Sequence, residues 1–444
     1  MAEILPFQGI LYNPEQIDNL SHVVAPPYDV ISADEQAAFH RLHPKNIIRL
    51  ILGEKKATDT PEDNPHTRAA NYFRQWLAEG TLAQDDRPAL YLTSVDFPLE
   101  DRTITRYGII ALVRLEPFEK KVILPHEQTF SKVKSERLEL MKRCHANFSP
   151  IFSLFSDPSG VVDRLKASAS DREPDMDVTD HKGIPHRLWR VTDPQVHHFV
   201  EKGLTDRQLF IADGHHRYET ALTYRDWIAE SDPSFDSRHP ANFVMMYLCS
   251  MEDPGMLIRP AHRLLSEVPA ASLKTLMAKA AEAFDITSYP FTPGNRQEVL
   301  EGFTKALKDD ADNRTVIGAC IHGETQFYHM ALRPGIMQAR FGHEMAASLL
   351  DLDVTVLTRL IFMEILQFDQ VRLDDASKIA YASLTHEAMD TVHQGRADIA
   401  FILNATRMEQ VRRVSSEGLT MPRKSTYFYP KVLSGRVLNK LTRE

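Results

Sequence analysis

The segment from Gln208 to Tyr224 constrains the fold most strongly, because its hydrophobic period changes in the middle. Gln208 to Ala212 is a short apolar run that predicts a buried strand, and Asp213-Gly214 ends that run. From His216 to Tyr224 the inward positions recur at helical spacing. A strand that turns directly into a helix is a basic unit of α/β proteins, so we expect a mixed α/β fold.

Elsewhere the sequence supports the same fold class. Between residues 354 and 417, predicted helices and strands alternate, which favours an α/β layer. A length of 444 residues predicts several subdomains. We expect three regions: an N-terminal α+β region over 1–120, a core over 121–240 with an insertion at about 157–202, and a C-terminal α/β region over 241–444.

The charge balance argues against a general nucleic-acid-binding protein. Lys and Arg number 52 against 61 Asp and Glu, and phosphate backbones require a basic face. Nucleic acid is therefore an unlikely partner, although a local basic pocket for a small anion remains open. The three cysteines are far apart and predict reduced core residues. We see neither a signal peptide nor a membrane span, and expect a cytoplasmic protein without a membrane partner.

The loop Asp213-Gly214-His215-His216-Arg217 is the strongest candidate site. The first amides of a helix have no partner within the helix, and with the helix dipole they favour an anion. Gly214 allows close approach of a ligand, and Arg217 offers a fork of donors suited to phosphate oxygens. The histidines can donate hydrogen bonds or move protons. Asp213 can bind magnesium, or it can simply cap the helix.

A second candidate site follows the apolar run Val122 to Leu124. His126-Glu127 stands at the mouth of this predicted strand, and a basic amphipathic helix extends from about Lys132 to His145. A carboxylate there can act as a general base if burial raises its pKa. The alternative is a solvated helix with Glu127 near its N-terminus, where a negative charge is favourable.

Two further features allow more than one interpretation. Tyr28-Asp29 follows two prolines and can supply a carboxylate to the pocket, but a rigid turn is the simpler interpretation. His126, His215 and His216 can in principle bind a transition metal, but adjacent histidines rarely point the same way and no further ligand stands at zinc-like spacing.

The order of these motifs resembles the ParB/sulfiredoxin-like superfamily, and within it the free-serine kinases. The resemblance rests on LPHEQT (124–129), SERLELM (135–141), SPIF (149–152) and IADGHHRYETAL (211–222). Over nearly its full length, the chain also resembles a prokaryotic family of unassigned function, the domain of unknown function numbered ten-fifteen. That likeness adds VVAPPYDVIS (23–32), MLIRPAHRLL (256–265) and MPRKSTYFYPKVLSG (421–435).

The kinase resemblance implies a role for each matching residue. Glu127 resembles the base that takes the proton from the serine hydroxyl, and Asp213 resembles a catalytic carboxylate that organises magnesium or the phosphates. His216 is expected both in catalysis and in the phosphate loop. The remaining assignments are phosphate binding by Gly214, His215, His216 and Arg217, and substrate binding by His126, Arg137 and Lys424.

The function expected from the sequence is therefore a phosphotransferase that uses ATP or ADP and Mg²⁺. The acceptor is a small hydroxylated metabolite, with free L-serine, giving O-phosphoserine, as the first candidate. Two alternatives stay open: a nucleotide-binding regulatory module without turnover, and a phosphohydrolase of small phosphate esters. The expected partners are a small-molecule substrate and a nucleotide, and a homodimer is left open.

Overall fold

A computed structural model describes residues 2–99, 101–127, 131–375 and 377–443, without the side chains of residues 131–133. Residues 128–130, which complete the motif LPHEQTF, lie outside the described part. The fold is mixed α/β, as the sequence predicts. The strands, numbered along the chain, are β1 (Ile4–Leu5), β2 (Ile10–Tyr12), β3 (Leu82–Gln84), β4 (Leu90–Leu99), β5 (Arg102–Arg114), β6 (Ile123–Leu124), β7 (Ala146–Asn147), β8 (Ile151–Phe155), β9 (Met176–Thr179), β10 (Pro185–Val191), β11 (Leu209–Asp213), β12 (Phe243–Ser250), β13 (Leu257–Arg259), β14 (His262–Leu265), β15 (Phe284–Pro290), β16 (Val316–Ile321), β17 (Gln326–Leu332), β18 (Ile379–Ala382), β19 (Ile399–Ile402), β20 (Tyr427–Tyr429) and β21 (Asn439–Lys440).

Helices connect most of these strands. The α-helices are α1 (Ala33–Leu42), α2 (Ile48–Ile51), α3 (Pro65–Ala78), α4 (Ser131–Cys144), α5 (Val161–Ala169), α6 (Pro194–Leu204), α7 (His215–Ser231), α8 (Ala270–Ala280), α9 (Arg296–Asp310), α10 (Ile336–Phe341), α11 (Ala347–Leu350), α12 (Asp353–Thr355), α13 (Gln370–Asp374), α14 (Thr385–His393) and α15 (Met408–Ser416). A π-helix spans Val356–Ile365, and short 3₁₀ turns span Leu20–His22, Tyr28–Val30, Phe118–Lys120 and Pro240–Asn242.

The chain forms two compact units. The first comprises Met1–Pro125, Thr129–Leu257 and Pro430–Glu444, and the second comprises His126–Gln128 and Ile258–Tyr429. The three regions expected from the sequence do not correspond to these units. The physical reason is strand pairing: β4 and β5, from the expected first region, share a sheet with β8, β11 and β12.

The first unit is built on a mixed sheet with the order β6-β11-β8-β12-β5-β4-β10-β9, and β1 pairs with β5. The pairs β6–β11 and β8–β12 are parallel, and the other pairs are antiparallel. The predicted insertion at 157–202 contributes to this sheet, because β10 pairs with β4. The sequence predicts a strand over Arg187–Val191, and β10 confirms it.

The core of the first unit explains why α7 is held firmly. Tyr218 and Ala221 on α7 are buried together with apolar residues of α5, α6, β5, β8 and β12. The Tyr218 hydroxyl donates a hydrogen bond of 2.8 Å to the carbonyl oxygen of Glu116. Helix α7 therefore packs on the sheet through one face, and its N-terminus is fixed at the end of β11.

The second unit has an antiparallel sheet covered by helices on both faces. The strand order is β15-β17-β16-β19-β14-β18. Ile317 and Ala319 of β16 pack with α8 and the π-helix, whereas Val316 and Cys320 pack with α9 and α14. Alternate residues of a strand point to opposite faces, which accounts for this division.

Two predicted elements of the second unit differ from the observed ones. The sequence predicts a helix over Ala270–Phe284, but α8 ends at Ala280 and β15 begins at Phe284. The sequence also predicts a helix over Val354–Gln367, and most of this segment is a π-helix. In the part of the chain that the structure describes, no helix is long and apolar enough to span a membrane. Cys144, Cys249 and Cys320 are buried free thiols, as expected.

Candidate functional site

The strand-to-helix turn at Asp213-Gly214 forms the centre of the candidate site in the first unit. The pairing of β11 with β8 shifts by one residue between Ile211 and Asp213, which pairs with Phe152. Such bulges re-aim side chains and are frequent beside active sites. Gly214 follows with φ 97° and ψ 27°, and α7 begins at His215. The sequence prediction of a strand that turns directly into a helix is therefore confirmed.

Two cationic side chains share the Asp213 carboxylate. Arg217 donates a hydrogen bond to Oδ2 and Lys431 donates one to Oδ1. Arg217 also donates to the carbonyl oxygen of Pro150. Each of the three side chains is only 12% exposed. These contacts hold two cationic groups and one carboxylate together beside the N-terminus of α7.

The pKa of Arg217 reflects this setting. Burial favours the neutral form, but the charges of Asp213 and Asp29 and the phenol of Tyr28 outweigh it, so the pKa of Arg217 is raised. Burial, reinforced by Asp29, raises the pKa of Tyr28 to about 12 although Arg217 and Arg137 oppose that shift. Arg217 is therefore charged and Tyr28 is neutral at physiological pH.

Arg137 on α4 lies in the same neighbourhood. Its guanidinium carbon is 4.3 Å from the centroid of the Tyr28 ring, and Nη1 donates a hydrogen bond of 2.6 Å to the carbonyl oxygen of Ile51. Burial lowers the pKa of Arg137, and the charge of Arg217 contributes to that shift. Asp29, whose charge acts on both arginines, is a second carboxylate in this neighbourhood.

A small cavity connects the two arginines. Its volume is about 60 Å³, and its polar lining consists of Tyr28, Arg137, Arg217, Ser149, Asn147 and Thr220. One water molecule needs roughly 10–15 Å³ on this measure, so the cavity admits a few water molecules or one small oxyanion.

The two histidines of the loop differ in exposure. His215, the first residue of α7, is buried, whereas His216 is half-buried. The carbonyl oxygen of His216 accepts a hydrogen bond of 2.7 Å from the Thr220 hydroxyl. Because His216 is the more accessible of the two, it is the better candidate for contact with a ligand.

Glu127, His126 and Lys424, which the sequence also nominates, belong to the second unit. The Glu127 carboxylate accepts a hydrogen bond of 3.1 Å from the Lys424 backbone amide. His126 is 1% exposed, and its Nε2 lies 2.9 Å from the Thr426 hydroxyl. The Lys424 side chain is exposed. Substrate binding by His126 and Lys424 remains a prediction, as does the role of Glu127 as a base.

The expected magnesium site on Asp213 does not fit this arrangement. Both carboxylate oxygens are bound by cationic groups, and a divalent cation placed there would be repelled by Arg217 and Lys431. Among the described residues, no group of three or more His, Cys, Asp or Glu side chains is arranged to hold a metal ion. Asp213 therefore serves here as the partner of two cationic side chains and not as a metal ligand.

Comparison with known proteins identifies the family. A protein-family model described as "Protein of unknown function (DUF1015)" matches residues 4–355, which is more than half of the chain. The chain belongs to the DUF1015 family. This confirms the resemblance to this family noted in the sequence, whereas the motif at 421–435 lies beyond the matched residues. No curated protein matches the chain.

Several solved structures resemble this DUF1015 protein at low similarity. A free serine kinase in complex with AMP has 13% identity and a TM-score of 0.35, and the match covers 72% of this chain and 86% of that one. A mutant of free serine kinase in complex with ADP has 12% identity and a TM-score of 0.36, covering 74% and 91%. A conserved hypothetical protein from Pyrococcus furiosus has 12% identity and a TM-score of 0.34, covering 73% and 92%.

The DUF1015 site contains two residues to which the sequence assigns a different role or none. Lys431 contacts Asp213 although 218 residues separate them, and the sequence nominates Lys424 from the same motif instead. Tyr28 packs against Arg137, whereas the sequence favours a rigid turn at Tyr28-Asp29. The double proline marks that turn, but no local signal shows which side chains it faces.

The arrangement in the DUF1015 protein has a definite chemical capacity. Arg217 and Lys431 can neutralise phosphate oxygens, and the dipole of α7 favours negative charge at the same place. Gly214 keeps the turn free of a side chain at the point where Arg217 approaches, because a Cβ there would lie 2.9 Å from Arg217 Nε. The loop therefore presents charged donors and helix amides of the kind that can hold an oxyanion.

Proposed function

We propose that this DUF1015 protein is a nucleotide-dependent phosphotransferase that phosphorylates a small hydroxylated metabolite, with free L-serine as the first candidate. The observation that carries the proposal is the buried cluster at the N-terminus of α7, in which Arg217 and Lys431 share the Asp213 carboxylate. Two charged donors held beside the helix amides can bind the oxygens of one phosphate group.

The position of the cluster favours a phosphate over other anions. The N-terminus of α7 adds its dipole, and Arg217 has the planar donor geometry that suits phosphate oxygens. Phosphoryl transfer requires mainly that groups are positioned and that charge on the transferred group is neutralised. Arg217 and Lys431 would perform the neutralisation, and His216 would donate a hydrogen bond to the same group.

The proposed reaction balances without a covalent enzyme intermediate. The acceptor hydroxyl oxygen bonds to the terminal phosphorus of ATP or ADP, and the bond from that phosphorus to the bridging oxygen breaks. The hydroxyl proton passes to a base, for which Glu127 is the candidate. The products are the phosphate ester and the nucleotide shortened by one phosphate.

The experiment that tests this proposal is a turnover assay with ATP and ADP against a panel of hydroxylated amino acids and hydroxy acids. Product is identified by mass as the phosphate ester. We expect O-phosphoserine from L-serine, and a loss of at least about 100-fold in kcat/KM for Arg217→Met, because removing a transition-state charge contact costs several kcal/mol. Arg225→Met is the matched control, since Arg225 lies on the same helix and donates to the carbonyl oxygen of Leu115.

Each negative result has a defined meaning. Thermal stabilisation by a nucleotide without any product would replace the proposal with a binding module. Release of free phosphate from O-phosphoserine without a nucleotide would replace it with a phosphohydrolase. Absence of both binding and product across the panel would overturn the proposal.

A further inference from the structure

Arg436, in the first unit, is a buried cation with an unpartnered donor. The residue is 3% exposed, and its Nε is buried with no hydrogen-bond partner. Tyr247, Arg106 and His186 lie near enough to interact electrostatically with Arg436, and none of them is a carboxylate. Burial lowers the pKa of Arg436 to about 10, so it is still charged at neutral pH.

Arg106 brings a second positive charge to the same place. It is 1% exposed, its Nε donates a hydrogen bond of 3.2 Å to the Tyr247 hydroxyl, and its Nη2 donates one of 2.7 Å to the carbonyl oxygen of Pro430. Its guanidinium carbon also lies 4.9 Å from the centroid of the Phe152 ring. The charge of Arg106 adds to the lowering of the Arg436 pKa, so the two guanidinium groups lie close enough to repel each other.

Asp180 and Asp253 make their hydrogen bonds to other groups. Asp180 Oδ2 lies 3.4 Å from His186 Nε2, and its Oδ1 accepts hydrogen bonds from backbone amides of its own turn. Asp253, whose charge interacts with Arg106, accepts hydrogen bonds from the backbone amides of Tyr107 and Gly255. His186 is buried and its pKa is lowered to about 4, so it is neutral at physiological pH.

The arginine pair adjoins the cluster at Asp213. Phe152, whose ring lies below Arg106, is the strand partner of Asp213. Pro430, which accepts from Arg106, directly precedes Lys431, which donates to Asp213. Consecutive Cα atoms are about 3.8 Å apart, so the two cationic clusters meet within the first unit.

We propose that Arg106 and Arg436 form a second oxyanion site, which binds one carboxylate or phosphate group of a small ligand. If the proposed function holds, this group belongs to the acceptor, whose hydroxyl is then directed toward the phosphoryl group at Arg217 and Lys431. An acceptor with both a hydroxyl and an anionic group is the substrate class that matches two adjacent cationic sites. Arg436 is the residue that specifies this class, because its Nε is the donor left without a partner.

The test measures thermal unfolding and ligand affinity of the full chain with phosphate, acetate and L-serine, each compared with chloride at equal ionic strength. We expect wild type to be stabilised by at least one of these oxyanions beyond chloride. Arg436→Met should bind that oxyanion at least about tenfold more weakly, since a charge-assisted contact is lost. The phosphate arm and the two carboxylate arms distinguish the two chemical sources.

The stability of the ligand-free variants separates a ligand site from a structural arginine. Removing an uncompensated buried charge should leave the unfolding temperature of Arg436→Met unchanged or raise it. If Arg436 had a structural role, the unfolding temperature of Arg436→Met would fall. Arg443→Met, which removes an exposed arginine paired with Asp236, serves as the control. Arg436→Lys keeps the charge without the bidentate fork. This variant should fold as wild type does, and it should bind the oxyanion more weakly than wild type.

The Arg217→Met background separates this proposal from the proposed function. Phosphate can also bind at Arg217, so the oxyanion effect that depends on Arg436 should persist in Arg217→Met. No stabilisation beyond chloride in wild type, or equal oxyanion affinity of wild type, Arg436→Met and Arg436→Lys, would overturn the second site. Absence of nucleotide turnover alone would overturn only the proposed function.

Discussion

Lys431 donates a hydrogen bond to Asp213, a residue 218 positions earlier in the chain. This contact joins the C-terminal segment of the first unit to the turn that begins α7. Because Arg217 binds the other oxygen of the same carboxylate, two cationic side chains share one carboxylate beside the N-terminus of α7. The site is therefore defined by these two charged donors and by the backbone geometry of the turn.

Replacement of Lys431 tests the role of its charge. Lys431→Met should weaken nucleotide binding by at least about tenfold, because the phosphate loses one charge-assisted donor. Stability should change modestly, since Arg217 still compensates Asp213. Calorimetric titration with ATP and ADP measures the affinity. Lys120→Met, which removes an exposed lysine paired with Glu116, should bind as wild type does. Equal affinity of both variants would show that the charge of Lys431 does not contribute to nucleotide binding.

Substitution of Gly214 tests whether the turn needs its left-handed backbone and the space beside Arg217. Its φ of 97° is left-handed, and a Cβ would lie 2.9 Å from Arg217 Nε. Gly160 also precedes a helix with a left-handed φ of 67°, but a Cβ there would meet nothing within 4 Å. Gly160→Ala should therefore cost about 1 kcal/mol of unfolding free energy from strain alone, whereas Gly214→Ala should cost about 2 kcal/mol or more.

Nucleotide affinity then distinguishes the two glycine variants. Gly214→Ala displaces the Arg217 guanidinium and should weaken ATP binding, and Gly160→Ala should not. Denaturant unfolding and calorimetric titration provide the two measurements. A Gly214→Ala protein with wild-type affinity would show that Arg217 does not need its observed position.

Asp353 in the second unit predicts a pH-dependent contribution to stability. Burial raises the pKa of its carboxyl to about 7, although the Asn404 amide and Arg407 oppose the shift. Between about pH 4 and pH 7 the folded state holds a proton that the unfolded state has lost. The contribution of Asp353 to stability therefore falls as pH rises through this window, by up to about 1.4 kcal/mol per pH unit, and is constant above it.

The comparison with Asp353→Asn isolates this effect. His186 and His262 have pKa values lowered to about 4 by burial, and they produce a slope of the opposite sign below about pH 6.5. Urea unfolding of both proteins at several pH values gives the difference. We expect the variant to gain stability relative to wild type as pH rises from about 5 to about 8. A pH-independent difference would refute the raised pKa.

Substitution of Glu127 tests whether this residue is the base that accepts the hydroxyl proton. Glu127→Gln keeps an oxygen that can accept from the Lys424 amide, so the fold should be preserved. A base contributes about 100-fold or more, and turnover should fall by that factor while nucleotide affinity stays unchanged. Unchanged turnover in Glu127→Gln would remove Glu127 from the reaction.

The sequence predicts the local elements of the site well because their signals are local. The apolar run before Asp213, the glycine at the turn and the periodicity of α7 all lie within a short stretch of chain. The reduced cysteines follow from composition for the same reason. Each of these features depends on neighbours in the sequence, and not on which distant segments meet.

The other features of the fold and of the site depend on contacts between distant segments, which the sequence does not show. Lys431 approaches Asp213 only because the C-terminal segment belongs to the first unit. The expected region boundary near residue 120 fails since β5 pairs with β12 across it. Arg436 lies in a segment of small and apolar residues, and the unpartnered state of its Nε is a property of the folded environment.

Calorimetric titration of wild type, Arg217→Met and Arg225→Met with ATP and ADP decides whether the N-terminus of α7 binds phosphate. We expect wild type and Arg225→Met to bind a nucleotide equally well. Arg217→Met should bind it at least about tenfold more weakly, because the phosphate loses a charge-assisted fork of donors. Equal nucleotide affinity in Arg217→Met, or no nucleotide binding by the wild-type protein, would contradict the claim that this helix terminus is a phosphate site.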